Sequence, residues 1–173
     1  MKKRAIISVS NKKNLSTICK SLEKYNIEII ATGNTYKAIY KLGFKVKKID
    51  QFTNFNEILN GRVKTLHPKI FGGILFKRNN SKHLNTILKK NIPIIDYVIV
   101  NLYPFKKNEK NLDKCIDNID IGGHSLIRSA AKNFNDVTVI CSPKDYFLFC
   151  NELKKNKGET SLSFRKKYAA KAF

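Results

Sequence analysis

The feature that most constrains the fold is an alternation of short apolar runs with segments of helical spacing. Ala5–Val9, Ile27–Ala31, Tyr97–Val100 and Val137–Cys141 are short and mostly apolar, with many β-branched residues, as buried strands are. Strands that alternate with helices over short connections form a parallel sheet. The sequence therefore predicts an α/β fold: a mostly parallel sheet with helices on both faces.

Apolar residues at helical spacing separate these runs and predict the covering helices. Glycine is expected to close the second of them at Gly43, and proline to begin a later one. The predicted helical segments are Leu15 to Leu22, Ala38 to Leu42, Leu84 to Leu88, Pro143 to about Lys154, and the basic Ser161–Phe173.

A further strand and then a less regular segment, residues 50–80, follow the second predicted helix. Apolar residues that alternate with lysines over Phe44–Ile49 predict a strand with one face in water. The spacing of Phe52, Phe55, Ile58 and Leu59 predicts one short helix. The glycines and the proline that follow are interpreted as chain punctuation: Gly61, Pro68, Gly72 and Gly73.

Length and composition exclude several classes of protein. The 173 residues favour one domain, 1–173, and no run of about 18 apolar residues is present, so no membrane span is predicted. The four cysteines lack metal-binding or redox spacing. We therefore expect reduced thiols and a cytoplasmic protein.

The formal net charge of +21 suggests a polyanionic partner. Most of the cations are lysines, and together with abundant Asn and Ile they form the composition that AT-rich codons produce. The lysines are also spread along the whole chain rather than gathered in one segment. No zinc finger or aromatic-interleaved nucleic-acid motif is present in the sequence. We expect no specific nucleic acid partner, and only weak nonspecific binding at low salt.

Polar residues follow three of the predicted strands, in Ser8–Lys12, Thr32–Thr35 and Asn101–Tyr103. Because ligands bind beyond the carboxyl ends of strands in such sheets, these loops are expected to converge on an active site. The first two loops would offer hydroxyls, an ammonium and helix-start N–H groups to an anion. Taken alone, each is better explained as ordinary helix capping.

The segment Arg62-Val63-Lys64-Thr65 places two cations two residues apart. In extended backbone both would point to one side, where with Thr65 they suit a phosphate or an electron-rich carbonyl. A solvated basic strand is an equally good interpretation. His67 precedes Pro68, which holds it extended, and is expected to have a structural role.

The segment Asp120-Ile121-Gly122-Gly123 precedes a helical pattern over Ser125–Asn133. The glycines would free backbone N–H groups for an oxyanion, and Asp120 could accept a proton or hold an amide. Lys132, about two turns further along, could exchange a proton in a partly dry cleft, and Tyr103 could aim its hydroxyl there. A surface lysine and an ordinary half-buried tyrosine are the alternatives.

In their order along the chain and in their amino-acid sequence, these segments closely resemble the inosine monophosphate cyclohydrolase domain of the bifunctional purine-biosynthesis enzyme. Gly61–Pro68, Asn101–Phe105, and Ile119–Gly123 with Arg128–Asn133 carry the resemblance, which spans essentially the whole chain. It implies a methylglyoxal-synthase-like α/β sandwich. It also implies closure of 5-formamidoimidazole-4-carboxamide ribotide to inosine monophosphate with loss of water, with no metal and no organic cofactor.

The resemblance also implies roles for individual residues. Lys132 would be the proton donor or acceptor, within a catalytic set of Lys132, Asp120, Tyr103 and Lys64. The purine ribotide substrate would be bound by Ser10, Lys12, Thr32, Gly33, Asn34, Thr35, Arg62, Thr65, Asn101, Ile121, Gly122 and Gly123.

Three positions depart from the family pattern. Asn11 stands where Asp is usual, Asn34 where a second Gly is usual, and His124 where relatives often carry a small or apolar residue. Asn tolerates left-handed backbone, so the loop at Asn34 is expected to survive. His124 would either be neutral or narrow the pocket.

Relatives of this kind continue past Ala-Lys-Ala-Phe into a formyltransferase domain. We therefore expect cyclohydrolase activity without formyl transfer, with the formyltransferase domain separate or missing. A homodimer is also expected.

Three other classes stay open at this point. Methylglyoxal synthase shares the implied fold but leaves Arg62–Pro68 and Asn101–Phe105 unexplained. A regulatory nucleotide-binding module, as in carbamoyl phosphate synthetases, would bind phosphate ligands without converting them. A basic nucleic-acid-binding protein would be retained on DNA in a salt-dependent way, without nucleotide turnover.

Overall fold

A computed structural model describes residues 2–103, 112–117 and 119–173, with the side chains of 112–114 excepted. Pro104 and Phe105 of the predicted motif lie outside the described residues. The strands are β1 (Arg4–Val9), β2 (Glu28–Ala31), β3 (Lys47–Lys48), β4 (Tyr97–Asn101) and β5 (Thr138–Ile140). The helices are α1 (Leu15–Lys24), α2 (Gly33–Lys41), α3 (Ile49–Thr53), α4 (Pro68–Leu75), α5 (Ser81–Lys89), α6 (Leu112–Asp117), α7 (Ile121–Lys132), α8 (Tyr146–Lys155) and α9 (Leu162–Lys171). Short 3₁₀ turns cover Leu59–Gly61 and Pro143–Asp145.

Across the described residues, five strands form one parallel sheet in the order β3-β2-β1-β4-β5. In the middle of the sheet, Ile7 pairs with Ala31 on one side and with Ile99 on the other. Each pair of parallel strands is joined through at least one helix, as parallel crossovers require. The predicted α/β fold is therefore confirmed.

Helices cover both faces of the sheet because successive side chains of its central strand point to opposite sides. Ile7 belongs to a buried cluster with Leu15 of α1 and further residues of α2, α8 and α9. Its neighbour Ile6 belongs to a second cluster with Leu126 of α7 and residues of α3 and α4. Burial on both faces explains why the strands appear in the sequence as short apolar runs.

The strand predicted over Phe44–Ile49 is wrong for most of its length. Only Lys47 and Lys48 join the sheet, and Ile49 begins α3 with its side chain buried in the second cluster. The side chain of Gln51 accepts a hydrogen bond from the Lys48 backbone N–H at 3.4 Å and so favours the turn into the helix. The alternating apolar residues pack against the core without forming a full strand.

The single helix predicted over Phe52–Leu59 is also wrong. Helix α3 ends at Thr53 because Asn54 adopts a left-handed conformation with φ 59°. Beyond it the chain turns, and Ile58 pairs with Val63 in an isolated antiparallel bridge. Phe52 is thus buried in α3, whereas Phe55, Ile58 and Leu59 lie in an exposed turn rather than on the buried face of a helix.

Helix α4 was not predicted, because its proline and glycines resemble punctuation. Pro68 is its first residue, and His67 Nδ1 accepts a hydrogen bond from the Lys69 N–H at 3.1 Å, which confirms a structural role for His67. A Cβ at Gly73 would lie closer than 3.0 Å to the carbonyl oxygen of Pro93. Glycine at 73 thus permits close packing of the helix.

Among the described helices, none combines the length and the apolar character needed to cross a membrane.

Candidate active site

A cavity of about 1020 Å³ opens at the carboxyl edge of the sheet. Its walls come from the ends of β1 and β2, the starts of α2, α3 and α7, and the turn before α4. Its volume lies near the upper end of the usual range for small-molecule sites. The predicted residues that line it are Thr32, Gly33, Asn34, Arg62, Lys64, Thr65, Tyr103, Asp120, Ile121, Gly122 and Gly123.

The start of α2 forms one wall of this cavity. Thr32 is extended and buried, and its Oγ1 lies 2.9 Å from Ser8 Oγ. Gly33 begins the helix with a positive φ of +29°. The backbone conformation that few residues tolerate, which was expected at Asn34, is therefore needed at the glycine one residue earlier. The first-turn N–H groups of α2, which have no partner within the helix, lie at the cavity wall.

A second wall is the Arg62–Thr65 segment. Arg62 has helical rather than extended backbone, so the expected extended run is wrong at its first residue. The side chains of Arg62 and Lys64 nevertheless line the same cavity. The Arg62 guanidinium contacts the Asp117 carboxylate at the end of α6, and both side chains are mostly exposed. A surface pair of this kind is weak, so it leaves the guanidinium available to a stronger anion.

The start of α7 forms the third wall. Asp120 precedes the helix, and its Oδ1 accepts the Gly123 N–H at 2.6 Å. A Cβ at Gly123 would collide with this carboxylate, and a Cβ at Gly122 would collide with Thr65 Oγ1. The two glycines thus bring a fixed carboxylate and the Arg62–Thr65 segment together at one helix start.

Ser10, Lys12, Thr35 and Asn101 do not line the cavity. Asn101 is buried, and its Oδ1 accepts the backbone N–H groups of Ser10 and Asn11, each at 2.8 Å. Thr35 Oγ1 bonds both the N–H and the carbonyl of Val9 at 3.1 Å. These side chains join the end of β1 to its neighbours and so hold the edge on which the cavity is built.

Lys132 lies far from the cavity, which its sequence position did not reveal. It is the last residue of the 12-residue helix α7, whose two ends are roughly 16 Å apart at about 1.5 Å per residue. Its side chain is exposed and does not line the cavity. Within this chain Lys132 therefore does not meet the other predicted catalytic residues, and its role in proton transfer stays a prediction.

Two of the departures from the family pattern have a structural outcome. Asn11 Oδ1 accepts the Lys13 N–H at 2.9 Å, a bond that an aspartate oxygen could equally accept. His124 is exposed on α7 and does not line the cavity, so it does not narrow it.

Residues that the sequence did not predict also line the cavity, among them Tyr36, Lys37, Lys48, Asp50, Glu57, Ile116 and Asp117. Two of them, Lys48 of β3 and Asp50 of α3, reach the cavity because Lys48 pairs with Ala31 in the parallel register. The Nζ atom of Lys48 lies 5.2 Å from the centre of the Tyr36 ring, within range of a cation–π contact. The position of β3 beside β2 depends on strand order, which local sequence patterns do not encode.

A parallel sheet with its cavity at the carboxyl edge, where the start of α2 and the cations Arg62 and Lys64 line the wall, is an arrangement suited to phosphorylated ligands. The MGS-like domain matches residues 14–125, and the AICARFT/IMPCHase bienzyme matches residues 130–173. The chain belongs to the MGS-like domain family.

More narrowly, its relatives are bifunctional purine biosynthesis proteins named PurH. The protein of Leptospira biflexa is 50% identical over 175 residues, which cover 99% of this chain and 34% of that protein. The protein of Clostridium beijerinckii is 47% identical over 176 residues, which cover 100% of this chain and 35% of that protein. The chain thus spans about a third of the length of the curated relatives that it matches.

A solved structure supports the same assignment. The crystal structure of ForH superposes with a TM-score of 0.92 and 30% sequence identity, covering 100% of this chain and 92% of that one. Together with the PurH relatives, it confirms the implied fold and the resemblance to the cyclohydrolase domain of the bifunctional enzyme.

Proposed function

We propose that this chain is an inosine monophosphate cyclohydrolase, which closes 5-formamidoimidazole-4-carboxamide ribotide to inosine monophosphate and water, the last step of de novo purine biosynthesis. The observation that carries the proposal is the meeting of Thr65 with Gly122 at one cavity wall. It joins a segment with two cations to a helix start with a fixed carboxylate. A phosphorylated substrate that must exchange protons requires both.

The substrate phosphate would lie between the start of α2 and Arg62. Backbone N–H groups at a helix N-terminus favour an anion, and a planar guanidinium can bond two phosphate oxygens at once. Thr32 and Thr65 would add hydroxyl groups to this cradle. Ser10, Lys12, Thr35 and Asn101 would contribute by holding the edge of the sheet in place.

The reacting carboxamide and formyl groups would lie beside α7. The carboxamide nitrogen attacks the formyl carbon and loses one proton to Asp120, while the formyl oxygen gains a proton from Lys64 or Tyr103. The formamido nitrogen then loses its proton, a C=N bond forms, and the hydroxyl takes a second proton and leaves as water. The two protons lost by nitrogen equal the two gained by oxygen. Each positioned acid or base would contribute roughly 10²- to 10⁴-fold.

Lys132 would act differently from the role that the resemblance implies. A cation in the last turn of a helix interacts favourably with the partial negative charge there. We propose that Lys132 stabilises α7, and thereby the Asp120–Gly123 segment at its other end, without exchanging protons with the substrate.

The test is an absorbance assay of the purified 173-residue chain with the formamido ribotide, with and without excess chelator. We expect ring closure in both conditions, and a rate roughly 10²- to 10⁴-fold lower with Asp120→Asn. Activity that required added zinc would contradict the metal-free mechanism. Binding without conversion would indicate a regulatory module, and formation of methylglyoxal from dihydroxyacetone phosphate would indicate the synthase.

Three further proposals go with this function: a homodimer and no formyl transfer by these 173 residues, which the resemblance supports, and a cytoplasmic location, which the cysteine pattern also favours. Sedimentation velocity tests the first, an assay with a folate formyl donor the second, and fractionation of cells the third.

A further inference from the structure

A carboxylate that no proposed step uses also lines the cavity. Asp50 follows β3 in the first turn of α3, and its Oδ1 is buried without a hydrogen-bond partner among the described residues. A buried oxygen of a carboxylate that lacks a donor is costly, so such groups normally have partners. The ligand of the cavity is the natural source of the missing donor.

The position of Asp50 limits which part of a ligand it can meet. Lys48 pairs with Ala31 in the parallel register, and Asp50 and the Thr32–Gly33 turn, which follow these two residues, line the same cavity. Asp50 is therefore on the side of the proposed phosphate cradle. A carboxylate repels a phosphate, and therefore it cannot be a phosphate ligand. The reacting groups of the base would lie at α7, where Asp120 already supplies a carboxylate.

The part of a ribotide adjacent to its phosphate is the ribose, whose 2′- and 3′-hydroxyls are hydrogen-bond donors. We propose that Asp50 accepts hydrogen bonds from the ribose hydroxyls and makes the site selective for ribosides over deoxyribosides. A small rotation of the side chain would turn its buried oxygen towards the ligand. A charged acceptor for a neutral diol is also the chemistry by which acidic residues hold ribose in dinucleotide sites. This inference rests on the proposed function.

The experiment compares two nucleotides by calorimetry: inosine monophosphate and its 2′,3′-dideoxy form. Hydrogen bonds to a charged group predict that the unmodified chain binds the riboside about tenfold or more tightly. Asp50→Asn keeps the shape but removes the charge, and should reduce this preference to about threefold or less. Asp50→Ser, which also suits a helix start, replaces it if the first variant fails to fold.

Glu57→Gln is the matched control, because Glu57 is a second, exposed carboxylate that lines the same cavity. It should keep the riboside preference. Equal binding of the two nucleotides by the unmodified chain, or a riboside preference that survives in both Asp50 variants, would overturn the role of Asp50 but leave the ribotide site itself standing. Failure to bind either nucleotide would instead overturn the ribotide site, and the inference with it.

Discussion

Thr65 Oγ1 lies so close to Gly122 that a Cβ there would approach it to less than 3.0 Å. Thr65 is buried and Gly122 is in the first turn of α7, so neither can move aside freely. The two residues come from segments that are far apart in sequence. Their contact defines the wall where the proposed phosphate and proton-transfer groups adjoin.

Gly122→Ala should therefore destabilise the protein by about 1–3 kcal/mol, as overpacking does, and lower kcat/KM. Thr65→Ala should relieve the collision, since the next nearest Thr65 atom, Cβ, would be an ordinary 3.8 Å away. Thermal unfolding of the two single variants and the double variant measures this coupling. The double variant should recover stability but not activity, and additive losses of stability would contradict the close contact.

The central strands could be predicted from sequence because both of their faces are buried. The Ala5–Val9 run corresponds to β1 (Arg4–Val9), and Tyr97–Val100 to β4 (Tyr97–Asn101). Apolar character along the whole strand is a local property, so it is visible in the chain itself. Helix α4 was missed because Gly73 serves a contact with Pro93, and such a contact between distant residues leaves no local periodicity.

In the site too, features set by local sequence could be predicted, whereas features set by contacts between distant residues could not. Residues at helix starts, such as Gly33 and Asp120, could be placed from turn and capping patterns. Lys132 could not, because its distance from the cavity depends on where α7 begins and on the direction in which it runs. Asp50 could not be found either, since it reaches the cavity only through the position of β3 in the sheet.

Arg62 and Lys64 should separate kinetically although they are neighbours. Arg62→Ala should chiefly raise KM, by about tenfold or more, because a phosphate ligand would be lost in ground and transition states alike. Lys64→Ala should chiefly lower kcat, by roughly 10²-fold or more, if it donates a proton. Lys89→Ala, on the exposed side of α5, is the control for loss of one positive charge and should change neither. Steady-state kinetics with the opposite division would reject both assignments.

Glu28 should make stability depend on pH at the acidic end. Burial alone would raise its pKa, but hydrogen bonds from Lys2 and Arg4 outweigh it and lower the pKa in the folded protein. The carboxylate therefore stabilises the fold above the unfolded pKa of about 4.3, and this stabilisation is lost as pH falls through the lower folded value.

Glu28→Gln should accordingly cost about 1 kcal/mol at pH 7 and progressively less as the pH falls below 4. Urea unfolding at a series of pH values measures the difference. Glu23→Gln, an exposed residue of α1, is the control and should have a smaller effect at pH 7. A Glu28→Gln cost that does not change between pH 7 and pH 3 would show that the ion pairs are not its source.

Lys132 offers the sharpest test of the site as the structure has it. If the residue exchanged protons with the substrate, Lys132→Arg would be nearly inactive, because a guanidinium keeps its proton at any useful pH. An exposed cation at the end of α7 needs only its charge, so we expect Lys132→Arg to keep most of kcat. Lys132→Met should lower the stability of the protein slightly. It should reduce kcat less than Lys64→Met does, because the side chain of Lys64 lines the cavity. Circular dichroism confirms folding, and kcat of the three variants is compared. A folded Lys132→Arg protein with kcat reduced 10²-fold or more would return Lys132 to the reaction itself and require a path that brings it to the substrate.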